Sequence, residues 1–470
     1  MIPIKISNDA EIAIYKRLAS ALEVAIAEGL LEPGAVMASS RELASSTGLS
    51  RATVVRAYEL LFRSGHLIAR AGGKTYISES LRQIALPSVD EISRTYDLPE
   101  NISTFGKRLS TFDWTPNVNA RFLNYGGPPL WALPQAKWKY LLSKVCSELD
   151  PVAINYGRHP FGDDSIRESI VNFLRRRKGI QCKAEQLITF TDSGSPLVYI
   201  SRMLVNEGDV VVVEDPCRLG ARDTLLSHGA RLIAVPVDDN GIRTDIIKNY
   251  LHEHEIKMIY VSPSFHDPLG FNMSMQRRSE LLELANEHNI AIVEDAWESD
   301  YSYITPNYPT LYSLSPKENI FYIYSFWKLF YPVSMASCLV VPPEFIRPFM
   351  ATKLQANEVS SVIEQRTIAE FIDSGHLEKH IKNIRKSLIV KRQAMIEKLT
   401  RLFGKSLKIK KQSAAFWLTV EFRDHSIVEE MLALAVENGI KFVSTAPYYA
   451  DGKGSQLEFL VPFADFLDKI

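Results

Sequence analysis

Apolar residues recur at helical spacing through the first 65 positions and then switch to strand-like runs. Ile14, Leu18, Leu22 and Ala25 fall three to four residues apart and predict an opening helix that Gly29 ends. Ser39 precedes a second helix, and Glu42 stands where it closes an S-x-x-E capping box. The turn Thr47-Gly48-Leu49 stops that helix, and Ser50 caps a third, RATVVRAYELLFRS, which Gly65 terminates. Two β-prone segments, HLIAR and KTYIS, follow, joined by Ala71-Gly72-Gly73. This order predicts a helix-turn-helix with a β wing over residues 1–78.

Between 79 and 120 the periodicity fades and Pro87, Pro99 and Pro116 punctuate a polar stretch, which reads as a linker. Beyond it, seven apolar β-rich runs alternate with amphipathic helical patterns: LITFT, DVVVVE, RLIAVPV, KMIYVS, IAIVED, NIFYIYS and SCLVV. Continuous apolar strands separated by helices predict an α/β domain over 121–470, built on a mostly parallel seven-stranded sheet covered on both faces. A charged helix around 376–403 leads to a smaller α+β region, about 380–470, with strands such as AFWLTVEF and LEFLV.

Composition narrows the function classes. Lys+Arg number 54 against 55 Asp+Glu, so a uniformly basic nucleic-acid coat is excluded. The four cysteines, at 146, 182, 217 and 338, form no C-x-x-C pair, which supports neither a disulfide framework nor a zinc site. The N-terminus lacks a signal-peptide core and no run of 18 uncharged apolar residues occurs, so a cytoplasmic chain without a membrane partner is expected.

Positive charge is nevertheless concentrated locally. Between 41 and 74 the basic residues Arg41, Arg51, Arg56, Arg63, Arg70 and Lys74 face only Glu42 and Glu59. A helix-turn-helix inserts the start of its second helix into the major groove, which makes Ser50, Arg51 and Thr53 the expected readers of double-stranded operator DNA. Arg41 opens the preceding helix and Arg56 lies on the reading helix. Gly73 and Lys74, at the wing tip, are placed to follow the adjacent minor groove.

The run SSRELASSTGLSRATVVRAYELLFRSGHLIARAGGKTYIS resembles the winged helix of the GntR family. Spaced elements of the large domain resemble the fold type I aminotransferases: GGPPLWALPQAKW (126–138), NYGRHPFGDDSIRESIVNFLRRRKGIQC (155–182), SGSP (193–196), EDP (214–216), PSFHDPLG (263–270), EDAW (294–297) and SFWKLFYP (325–332). Together the two likenesses point to regulators of the MocR/GabR type.

The resemblance implies pyridoxal phosphate as cofactor, with Lys328 at the family's Schiff-base position and Asp295 under the ring nitrogen. It also implies phosphate contacts from Gly194, Ser195 and Ser325. Departures accompany the likeness. The arginine that the family places on the phosphate is Met335 here, the usual tyrosine two residues after the ring-nitrogen acid is Trp297, and an aromatic position falls at Arg218. Arg218 is thereby a candidate for the phosphate charge missing at Met335. The family's substrate-carboxylate arginine aligns with Leu460, and Glu458 stands nearby as a repelling acid.

These features predict a transcription regulator. Its aminotransferase-like body senses pyridoxal phosphate or an amine adduct of it as effector, and the likeness implies a head-to-tail homodimer. Efficient transamination is not expected. The rival readings are an active aminotransferase and a regulator with a cofactor-free scaffold.

Overall fold

The computed structural model describes residues 12–27, 30–69, 74–78, 101–111, 132–149, 160–296, 300, 308–315, 319–356, 358, 360–410 and 416–464. The chain forms two compact units, Met1–Pro99 and Glu100–Ile470.

The first unit comprises α1 (Ile14–Ala27), α2 (Ser40–Thr47), α3 (Arg51–Arg63), β1 (Leu67–Ala69) and β2 (Thr75–Ile77). Leu18, Leu22, Ala25 and Ile26 of α1 bury against Val54, Ala57, Tyr58 and Leu61 of α3, which closes a small core. The expected capping box is present: Ser39 N donates to Glu42 Oε2 at 2.8 Å and Glu42 N donates to Ser39 Oγ at 3.3 Å. Gly48 turns the chain between α2 and α3 at a φ of 73°, a backbone region that suits glycine. β1 and β2 pair antiparallel as the wing, with Leu67 opposite Ile77.

The second unit opens with α4 (Thr104–Thr111), α5 (Gln135–Glu148) and α6 (Asp164–Lys178). It continues β3 (Leu187–Phe190), α7 (Ser195–Leu204), β4 (Val210–Asp215), α8 (Leu219–Ser227), β5 (Arg231–Asp238), β6 (Gly241–Ile242), α9 (Thr244–Leu251), β7 (Ile256–Val261), α10 (Met275–Glu287) and β8 (Ala291–Asp295). Next come α11 (Leu311–Leu314), β9 (Ile320–Ser325), α12 (Trp327–Phe330), β10 (Ser337–Val340), α13 (Ile346–Ala356), α14 (Val362–Asp373) and α15 (His376–Phe403). The chain ends with β11 (Leu407–Ile409), β12 (Trp417–Phe422), α16 (Val428–Glu437), β13 (Val443–Ser444) and β14 (Glu458–Pro462).

All seven anticipated runs are strands of one sheet, ordered β3-β10-β9-β8-β7-β4-β5, and the two-residue β6 adds an eighth at the edge. β10 runs against both of its neighbours, while β4, β5, β7, β8 and β9 are parallel. Alternation along β4 explains the two-sided burial: Val210 and Val212 join one hydrophobic cluster, Val211 and Val213 the other. The smaller region is a four-stranded antiparallel sheet, β11-β12-β14-β13.

One expectation is corrected. Residues 104–111, inside the stretch read as linker, form α4, which is attached to the second unit. Arg108 donates to the Ser227 carbonyl at 3.1 Å and pairs with Glu207 at 2.5 Å, and Phe105 packs edge-on against His228. Its low apolar content hid a helix held by polar contacts.

Candidate functional site

Parallel strands end together, so the residues following β4, β7, β8 and β9 gather at one edge of the sheet. Asp295 closes β8 in register with Ile323 of β9, and Lys328 follows three residues after Ser325. A cleft of about 710 Å³ opens at this edge, with Asp192, Gly194, Arg218, Asp295, Trp327 and Met335 on its wall. Phe105 and Leu109 of α4 form part of the same wall.

Lys328 is 3% exposed. Its Nζ lies 4.9 Å from the centre of the Phe416 ring, 5.1 Å from Trp417 and 5.2 Å from Trp327. Burial holds the amine well below the ordinary lysine range, against the pull of the Asp267 carboxylate, while Arg218 adds to the lowering. The neutral amine is the nucleophilic form. The small sheet supplies this aromatic enclosure because β12 is tied to the loop before α10: Trp417 Nε1 donates to the Pro268 carbonyl at 2.7 Å, and Thr419 Oγ1 to the Leu269 carbonyl at 3.1 Å.

Asp295 is buried, and its Oδ2 accepts from Tyr260 at 2.6 Å and from Arg218 Nη2 at 3.0 Å. Its Oδ1 has no hydrogen-bond partner among the described residues. An unsatisfied buried carboxylate oxygen is costly, and a protonated ring nitrogen is a partner that would satisfy it. The Arg218 guanidinium, the candidate for the phosphate charge missing at Met335, is drawn to Asp295 and Tyr260 through Nε and Nη2. Met335 itself is 41% exposed at the rim.

The phosphate end is built differently from the expectation. Gly194 N and Ser195 N, at the start of α7, donate to Asp192 Oδ1 at 2.7 and 2.8 Å, and Ser195 Oγ donates to Asp192 Oδ2 at 2.6 Å. The chain's own carboxylate thus takes the amides reserved for a phosphate. Ser325 Oγ receives the Trp327 amide at 3.5 Å. The described residues fit the carbonyl and ring of pyridoxal phosphate at Lys328 and Asp295, and do not fit its phosphate. Trp297 lies outside the described residues.

Leu460 is buried in β14 between Thr419 and Val443, so no charged side chain anchors a carboxylate there. Glu458 does not act as a free repelling acid, because Lys410 pairs with it and Tyr449 donates to it at 2.9 Å.

In the first unit, Arg41, Arg51 and Lys74 are exposed. Arg51 Nε donates to Ser40 Oγ at 3.4 Å, which links the starts of α2 and α3 on one surface. Ser50 Oγ accepts from Thr53 N at 3.2 Å and lies 2.8 Å from Thr53 Oγ1, so both residues serve the helix cap. Arg56 is exposed as well, and its guanidinium sits 5.6 Å from the centre of the Tyr15 ring on α1. Gly73 lies outside the described residues.

Fold and site define an aminotransferase-like body carrying a winged helix-turn-helix. Residues 148–453 match the family described as aminotransferase class I and II, and residues 14–77 match the bacterial regulatory proteins of the gntR family. The chain belongs to the aminotransferase class I and II family, and its gntR head makes it a DNA-binding regulator of the MocR kind. It is 27% identical over 444 residues to the probable rhizopine catabolism regulatory protein MocR of Rhizobium meliloti, covering 93% of this chain and 87% of that one. Among solved structures, Pyrococcus horikoshii kynurenine aminotransferase in complex with PMP superposes with a TM-score of 0.67 at 25% identity, over 81% of this chain and 94% of that one. The multiple substrate aminotransferase of Thermococcus profundus gives 0.68 at 23% identity, over 78% and 93%.

Proposed function

We propose that the body of this regulator senses a small carbonyl compound at Lys328 and that occupancy alters operator binding by the winged helix, with the body working as a homodimer. The observation carrying this reading is the buried amine of Lys328, enclosed by the rings of Phe416, Trp417 and Trp327, the last of which is on the cleft wall. Burying a lysine among three aromatic rings is expensive, and condensation with a carbonyl compound is a use that would offset the cost. Phe105 and Leu109 support transmission, since α4 starts a few residues after the boundary between the units and also walls the cleft.

Pyridoxal phosphate and its amine adducts are the ligands suggested by the family. The ring end supports a compound of pyridoxal type, whereas Asp192 and Met335 oppose the phosphate. Leu460 disfavours efficient transamination, because an amino acid loses its carboxylate anchor. Incubating the protein with pyridoxal-type aldehydes should give a visible absorbance band that borohydride removes, with the label retained on Lys328. Lys328→Ala should lose both band and label; an unchanged band in that variant overturns the proposal.

A further inference from the structure

Asp192 is fixed from two sides. Its carboxylate receives three donors at the start of α7, and its backbone carbonyl accepts from Ser337 Oγ of β10 at 2.5 Å. A helix N-terminus favours an anion, and here the anion is part of the chain. A phosphate entering this seat must expel the carboxylate or settle beside it, and like charges at such range repel.

The wall as a whole does not offset this charge. It carries Arg202 and Arg218 against Asp192, Asp223 and Asp295, two positive charges against three negative, a net of −1. Of the two guanidiniums, Arg218 is bonded to Asp295 at 3.0 Å. His228, also on the wall, is shifted by burial towards its neutral form.

We infer that Asp192 is a built-in substitute for phosphate and sets the specificity of the cleft for a carbonyl compound that carries a hydroxyl or other hydrogen-bond donor, and no phosphate, at its far end. This rests on capture by Lys328 as proposed above. In that step Nζ attacks the carbonyl carbon, a C=N bond replaces the C=O bond, and the oxygen leaves as water with the two amine hydrogens. No oxidant or reductant takes part. At the far end a hydroxyl donates to the Asp192 carboxylate, where a phosphate ester offers only further negative charge.

The test uses the full-length protein and two probes that differ only in the ester, pyridoxal and pyridoxal 5′-phosphate. Each is trapped with borohydride, Lys328 labelling is quantified by peptide mass spectrometry, and yields are normalised to Nα-acetyl-lysine. Asp192→Ser removes the carboxylate, and Asp192→Asn keeps its shape and its acceptor oxygen, so one variant remains informative if the other misfolds. The wild type should favour pyridoxal, and either variant should shift the labelling ratio at least tenfold towards the phosphate ester. A shift below tenfold in the folded variants overturns the role of Asp192 while capture stands. Wild-type protein labelled by neither aldehyde overturns capture and this inference together.

Discussion

Arg218, partly exposed on the cleft wall, pairs with the buried Asp295, Nη2 to Oδ2 at 3.0 Å, and the Tyr260 hydroxyl donates to the same oxygen at 2.6 Å. The carboxylate that the family likeness assigns to a ring nitrogen is thus held by one oxygen from within the chain, and the other oxygen faces no described partner. Arg218 immediately precedes α8 and Asp295 ends β8, so the pair also ties the β4–α8 loop to the centre of the sheet.

Removing the cation alone should therefore be severe. Arg218→Met leaves a buried carboxylate without its counter-charge and should cost roughly 3–5 kcal/mol in denaturant unfolding. The double variant Arg218→Met with Asp295→Asn should recover a large part of that loss, because no charge is left buried. Equal costs for the single and double variants would show that Arg218 acts by packing alone.

Two arginines on α3 should separate cleanly. Arg51→Ala is expected to weaken operator binding by roughly 1–3 kcal/mol in a salt-controlled shift assay with the fold unchanged by circular dichroism. Arg56→Ala should leave binding within experimental scatter and cost the head about 0.5–1 kcal/mol of stability, the worth of an exposed cation–π contact with Tyr15. The reverse ranking would move the reading surface to the other side of α3.

Ser50 offers a third check, since its hydroxyl holds the Thr53 amide at 3.2 Å. Ser50→Ala should lower the stability of the head by about 1 kcal/mol, as loss of an N-cap does, while Ser50→Gly should cost only a few tenths. Thermal unfolding of the full chain, followed by a probe in the head, would register the difference. Identical values for both variants would remove the cap as the cause.

Local signals were the legible ones. Ser39, Glu42, Gly48 and Ser50 act within four residues of themselves, and the seven apolar runs are long enough for their period to name the element. Lys328 and Asp295 stood out because each follows a strand in a family pattern. Tyr260 and Trp417 did not, since their partners lie 35 and 149 residues away and only the folded sheet brings them together. Arg56 shows the same limit: its charge was plain, but the ring that captures it belongs to another helix. Asp192 is the exception. An Asp two residues before Gly194 and three before Ser195, ahead of an apolar helix, is a local capping pattern that sequence can reveal, and the phosphate reading of the same glycine and serine masked it.

The pH dependence of stability should be set in part by Glu214, at the end of β4. Burial is the main cause raising its carboxyl from 4.5 to about 8, with the Ser262 amide opposing and Asp267 and Asp295 adding to the rise. Below pH 4.5 the group is protonated in both folded and unfolded chains, so it imposes no charge penalty. Between 4.5 and about 8 the unfolded chain releases the proton while the folded one retains it, and stability falls as pH rises; above about 8 the loss levels off. His266, with its pKa pushed down to about 3 by burial, acts in the opposite sense on the acid side, and its Nε2 stands 4.0 Å from Glu214 Oε2, so its own titration responds to the substitution. Glu214→Gln keeps an oxygen for the Ser262 amide, 2.9 Å away, and cannot titrate. The unfolding free energy of the wild type minus that of Glu214→Gln should therefore decline across this window, by no more than about 1.4 kcal/mol per pH unit. A difference independent of pH from 4.5 to 8 would mean that Glu214 is already ionised in the folded protein.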